Sequence, residues 1–156
     1  MRLIRFIVAL SICFFVAGLG SFVTYPSIST WYAFLVKPFF TPPAFVFGPV
    51  WTILYLMMGT AFYIIWDKKT KNRKVFLLAV KFFMVQLVLN FFWSYAFFYL
   101  HMPWLSVLVI ALLWLSIFIC IKLFSKISKI SGYLLYPYIA WVSFASLLNI
   151  AIAALN

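Results

Sequence analysis

Residues 44–74 read AFVFGPVWTILYLMMGTAFYIIW-DKKTKNRK, twenty-three residues without a charge and then six charges in eight. At 1.5 Å per residue the uncharged run spans ~35 Å as a helix, enough to cross the ~30 Å hydrocarbon layer of a bilayer. A membrane strand would need short segments of alternating polarity, which this run lacks. Residues 44–66 therefore read as a spanning helix, and Asp67–Lys74 as the solvated loop that ends it.

The pattern repeats in both directions. Residues 4–24 are apolar except for Arg5, residues 75–100 except for Lys81, and apolar runs fill 104–123 and 132–155. His101-Met102-Pro103 reads as a tight turn, and Lys122, Lys126 and Lys129 mark a short loop. The expectation is an all-α integral membrane protein, one domain over 1–156, built as a five-helix bundle. Composition agrees. Of 156 residues, 69% are hydrophobic and 8% charged, and the mean hydropathy is +1.19. A soluble domain has about a quarter charged residues, so the bilayer must act as solvent.

Asp67 is the single acid, against 12 Lys and Arg. Paired-carboxylate hydrolysis, carboxylate metal sites and Ser-His-Asp relays lack their parts. With five spans, ten of the twelve basic residues fall on one face: Arg2, Arg5, Lys68, Lys69, Lys71, Arg73, Lys74, Lys122, Lys126 and Lys129. Lys37 alone lies opposite, and Lys81 can snorkel to the basic face. The positive-inside rule puts the N-terminus in the cytoplasm and the C-terminus outside, in a bacterial cytoplasmic membrane. The +11 charge thus reads as topology and attraction to anionic lipid, not nucleic-acid binding. The start of the chain also resembles a signal peptide, with Arg2 and Arg5, an apolar run and Ala17-Gly18-Leu19-Gly20-Ser21. Ala9, Cys13, Ala17 and Ser21 form a small-residue face that suits helix packing or a dimer instead. Cys13 and Cys120 lie in apolar runs and read as buried small hydrophobes.

Polar groups in a span need a partner or a cavity. Gln86, Asn90 and Ser94 form one stripe at i, i+4, i+8, flanked by Trp93. Trp141, Ala145, Asn149 and Ala153 share that spacing, and so do Trp51, Tyr55 and Gly59. Measured from the outer helix ends, Trp51 lies ~10 Å deep, Asn90 and Ala145 ~15 Å, and Trp141 ~21 Å. On the same side, residues 25–43 carry Trp31, Tyr32, Phe34, Phe39, Phe40 and Pro38, Pro42, Pro43. Prolines stiffen a loop, so this one reads as a lid over an aromatic-lined hole. Helix-packing glue and an interfacial aromatic belt are the competing readings. The implied ligand is flat, largely apolar and sizeable, oriented by a few polar groups such as Asn90 and Asn149. His101, alone at a turn, reads as a surface or capping residue rather than a haem ligand.

Four segments resemble one family. Trp31-Tyr32-Ala33-Phe34-Leu35-Val36-Lys37-Pro38-Phe39-Phe40-Thr41-Pro42-Pro43 is similar to the W-Y-x-x-L-x-K-P-x-x-x-P-P loop of the TspO/MBR family of tryptophan-rich sensory and translocator proteins. Phe47-Gly48-Pro49-Val50-Trp51-Thr52-Ile53-Leu54-Tyr55 resembles its F-x-P-x-W-x-x-L-Y stretch. Gln86-Leu87-Val88-Leu89-Asn90-Phe91-Phe92-Trp93 resembles Q-L-x-x-N-x-x-W, and Pro137-Tyr138-Ile139-Ala140-Trp141-Val142-Ser143-Phe144-Ala145 resembles P-Y-x-x-W-x-x-x-A. The resemblance implies a homodimer of five-helix subunits without a cofactor or metal. Its ligands would be porphyrins, sterols and aromatic amides, with membrane lipid around it. Matched by motif, the ligand site would comprise Trp31, Tyr32, Pro42, Phe47, Trp51, Tyr55, Asn90, Trp93, Trp141, Ala145 and Leu148. The function implied is binding, in tetrapyrrole or stress sensing. Transport of lipid, sterol or porphyrin is one alternative. Light- and oxygen-dependent porphyrin breakdown at Trp51 and Trp141 is another. Two features depart from the family. Phe40 and Phe45 stand where Trp is frequent, and Leu147–Asn156 lacks the Tyr and Lys/Arg of the animal sterol motif.

Overall fold

The computed structural model describes residues 2–68, 70 and 72–156. Lys69 and Lys71 of the basic loop lie outside them. The chain forms α1 (Arg2–Ile28), a short α2 (Trp31–Phe34), α3 (Ala44–Asp67) and α4 (Arg73–Ser94), which runs on as a π-helical turn (Tyr95–Tyr99). Then come α5 (Pro103–Ile127), a short α6 (Lys129–Tyr133) and α7 (Tyr136–Leu155). Among the described residues, five helical stretches are long and apolar enough to cross a membrane. The protein is an integral membrane protein.

Local chemistry sets the boundaries. Asn72 caps α4 by accepting the Val75 N–H at 3.1 Å. Pro103 starts α5, where a missing N–H costs nothing. His101 turns the chain with a positive φ of 55°. α1 runs through Tyr25 and Pro26 to Ile28, so the connection begins later than residue 25, where composition placed it. Proline removes one helical hydrogen bond, and side chains tie down the turn that follows. Ser27 donates to the Phe98 carbonyl, and the Thr30 hydroxyl to the Pro26 carbonyl at 2.8 Å.

α1 packs on α3, α4 on α5, and α5 on α7. Lipid tails are as apolar as leucine, so close fit rather than water exclusion joins the helices. At Gly59 a Cβ would stand 2.7 Å from Leu10 Cδ2 and 3.3 Å from the Ala9 carbonyl oxygen, so only glycine lets α1 and α3 approach this far. Phe62 stacks on Phe83 at 4.5 Å, and Phe83 meets Phe124 at 5.8 Å. The single acid joins helix ends: Asp67 pairs with Arg2 and Arg5, each at 3.2 Å. Towards the other end a space remains among α1, α3 and the end of α4, and it is the site.

Candidate functional site

A cavity of about 640 Å³ lies between α1, α3, the end of α4 and the 29–43 connection. The outer part of α3 supplies Phe47, Trp51 and Tyr55, three to four residues apart on one face. α4 and its π turn supply Asn90, Trp93, Ser94 and Phe98, and α2 supplies Tyr32. The wall on α1 runs Phe14, Ala17, Gly18, Ser21, Thr24, Tyr25 and Ile28, again one helical face.

Trp51 is the hub of the aromatic lining. Its ring lies 5.8 Å from Tyr55 and 6.2 Å from Trp93, both tilted, and 6.3 Å edge-on from Tyr138. Trp93 is fixed from behind, because its Nε1–H donates to Asn149 Oδ1 at 2.9 Å. Asn149 also accepts from the Ser106 hydroxyl at 2.9 Å and donates to the Pro103 carbonyl at 3.2 Å. Asn149 on α7 thus ties the Trp93 indole of α4 to the start of α5.

A second polar chain reaches the cavity. The Tyr55 hydroxyl donates to Asn90 Oδ1 at 2.7 Å, and Asn90 Nδ2 donates to the Tyr138 hydroxyl at 2.8 Å. Tyr138 donates in turn to Gln86 Oε1 at 2.8 Å. A phenol has one hydrogen, so each bond fixes the direction of the next. Tyr55 consequently faces the cavity with lone pairs only, while Asn90 keeps one N–H and one lone pair. The wall can accept from a ligand N–H and donate to a ligand carbonyl or carboxylate. The lining offers rings, hydroxyls and the Asn90 amide.

The connection forms a roof. Trp31 stacks on His101 at 4.4 Å and meets Phe97 edge-on at 5.3 Å. Tyr32 packs on Phe97 and Phe98 at 6.2 and 5.7 Å. Lys37 Nζ sits 4.6 Å over the Tyr32 ring, and burial raises the Tyr32 phenol pKa. Asn156 clasps Val36 by both backbone groups, accepting its N–H at 2.9 Å and donating to its carbonyl at 3.0 Å.

Of the residues singled out from sequence, the structure brings Tyr32, Phe47, Trp51, Tyr55, Asn90 and Trp93 to the lining. The other five stand outside it. Trp31 and Leu148 join Phe97 and Ile152 in a cluster under the roof. Ala145 is buried in the main core, and Trp141 packs behind Phe47 at 5.9 Å with its Nε1–H buried and unpartnered. Pro42 is half-buried in the connection. The small-residue face of α1 divides: Ala9 and Cys13 are fully buried, whereas Ala17 and Ser21 face the cavity. Sequence reading did not assign Phe14, Gly18, Thr24 and Tyr25 on α1, or Gly48 and Thr52 on α3, to the ligand site, and it named Phe45 only as a departure from the family loop. The available signal was a stripe at 14, 17, 18, 21 and 25.

Known proteins share this chain's length and pattern. The TspO/MBR family profile matches residues 9–155. The tryptophan-rich protein TspO of Chlorobaculum tepidum is 40% identical over 99% of this chain and 98% of its own. Its namesake in Archaeoglobus fulgidus is 40% identical over 100% and 99%. The human translocator protein is 33% identical over 76% of this chain and 70% of its own. A match along nearly the whole chain, on the helices that build the cavity, places the protein in the TspO/MBR family.

Proposed function

We propose that the protein is a membrane receptor for porphyrin-like tetrapyrroles and other flat aromatic ligands, acting in tetrapyrrole sensing, sequestration or transport. The observation that carries this reading is the cavity: about 640 Å³, floored by Trp51 and Trp93, with Tyr55 and Asn90 as its oriented polar groups. Ring faces stack on ring faces. A tetrapyrrole also offers N–H donors for Tyr55 and carboxylates for Asn90. The one-sided basic charge supports an orientation with Arg2 and Asp67 at the cytoplasmic face and the cavity in the outer half of a bacterial cytoplasmic membrane. The C-terminal stretch, which lacks the Tyr and Lys/Arg of the animal sterol motif, argues against sterols.

Light- and oxygen-dependent breakdown of the porphyrin is the second reading. It is favoured by the contact of Trp51 and Trp93 in the cavity wall, since indoles are the most readily oxidised side chains here. One experiment tests both readings. Protoporphyrin IX is titrated in the dark into the protein in detergent, and tryptophan fluorescence is followed. Saturable quenching that weakens in Trp51→Phe supports binding, and its absence sinks the porphyrin reading. A porphyrin absorbance band that then fades under light, and persists in Trp51→Phe, supports breakdown.

A further inference from the structure

Resting on the cavity reading above, we infer that the ligand enters sideways from the lipid, through a slot between α1 and α3, and not through the roof. Three observations carry this. First, α1 and α3 are joined tightly at one level and part above it. A Cβ on Gly59 would collide with Leu10, whereas a Cβ on Gly18 or Gly48 would meet nothing within 4 Å. Gly48 precedes Pro49 in a helix, where any Cβ would crowd the proline ring. Gly18 has no such neighbour, and its open flank faces the cavity.

Second, side chains that line the cavity also face outward. Tyr25 on α1 and Phe45 on α3 are about four-fifths exposed, and Phe14 is 39% exposed. A lining residue that is mostly exposed stands at an opening. From Phe14 to Tyr25 that opening runs ~16 Å along α1. It begins ~18 Å from Arg2 and therefore faces acyl chains over most of its length.

Third, the roof is tied down. The stack of Trp31 on His101, the Asn156 clasp on Val36 and the Ser27 bond to Phe98 join the connection and the top of α1 to the rest of the bundle. Opening the roof would break the first two, while the third holds the top of α1 to the π-helical turn. The slot selects ligands that dissolve in the membrane and are thin enough to pass edge-on between two helices.

The test uses the full chain in phospholipid vesicles, with stopped-flow tryptophan quenching by protoporphyrin IX. Gly18→Leu with Thr52→Phe fills the slot without touching the packed seam; Asn156→Ala loosens the roof. We expect the wild-type rate to follow the porphyrin-to-lipid ratio. The filled-slot variant should slow association and dissociation alike, at least tenfold. A merely lost contact would instead speed dissociation. Asn156→Ala should bind at the wild-type rate. Wild-type rates in the filled-slot variant, or faster binding in Asn156→Ala, would overturn the proposal. A second readout is independent of porphyrin. Phosphatidylcholine brominated at mid-chain should quench the emission that Trp51→Phe removes, and filling the slot should abolish that quenching. If wild type shows no porphyrin quenching, the receptor reading fails while this arm still decides the slot. No bromolipid quenching of Trp51 in wild type would refute it.

Discussion

The basic half of the bundle and its opposite half are built from the same helices, yet only one is filled. Around Gly59 the side chains of Ala9, Cys13, Met58, Ala61, Ala79 and Phe83 have no exposed surface. Around Trp51 the same α1, α3 and α4 leave about 640 Å³ between them. In lipid, where helix association rests on fit, the close-packed half can hold the fold while the other half keeps a cavity. Stability and binding are then separable along the membrane normal.

Substitutions can break that separation or sharpen it. The largest effect is expected from Phe83→Ala, which removes a fully buried ring stacked on Phe62 and packed against Phe124. A loss of ~3–5 kcal/mol should show as a large drop in thermal midpoint in detergent. Gly59→Leu should cost ~1–3 kcal/mol by overpacking the α1–α3 seam, read in the same melt. In the open half, Trp51→Ala should cost less stability than Phe83→Ala, because one side of its ring borders a space. Porphyrin affinity should nonetheless fall tenfold or more in the quenching titration. If Trp51→Ala melts like Phe83→Ala, the two halves are not separable. Asp67→Asn should be smallest, ~0.2–1 kcal/mol and fading with salt, since its partner Arg2 is largely exposed.

Sequence could see the helices because charge and proline mark their ends. α3 runs Ala44–Asp67, one residue past the uncharged run, since Asp67 is held by Arg2 and Arg5. α1 was harder to end because Pro26 looks like a breaker and is not one here. Half of the site was legible for the same kind of reason. Trp51, Tyr55, Asn90 and Trp93 are large or polar in apolar runs, and such residues need an explanation. The α1 wall was legible only as a small-residue face, with Ala17 and Ser21 read for helix packing or a dimer. A helix that is apolar all round does not say which face looks at lipid and which at a ligand. Depth reckoning had a matching blind spot. It gives the height of Trp141 and Ala145 but not their direction around the helix axis, and both turn toward protein rather than the cavity.

The clasp of Asn156 on Val36 has a consequence in time rather than space. Val36 lies in an irregular connection where backbone amides usually trade their hydrogens with water quickly. Its N–H instead bonds an amide oxygen 120 residues away, on the residue that follows α7. In heavy water this amide becomes a slow clock among fast ones, and its exchange rate records how often the roof lets go.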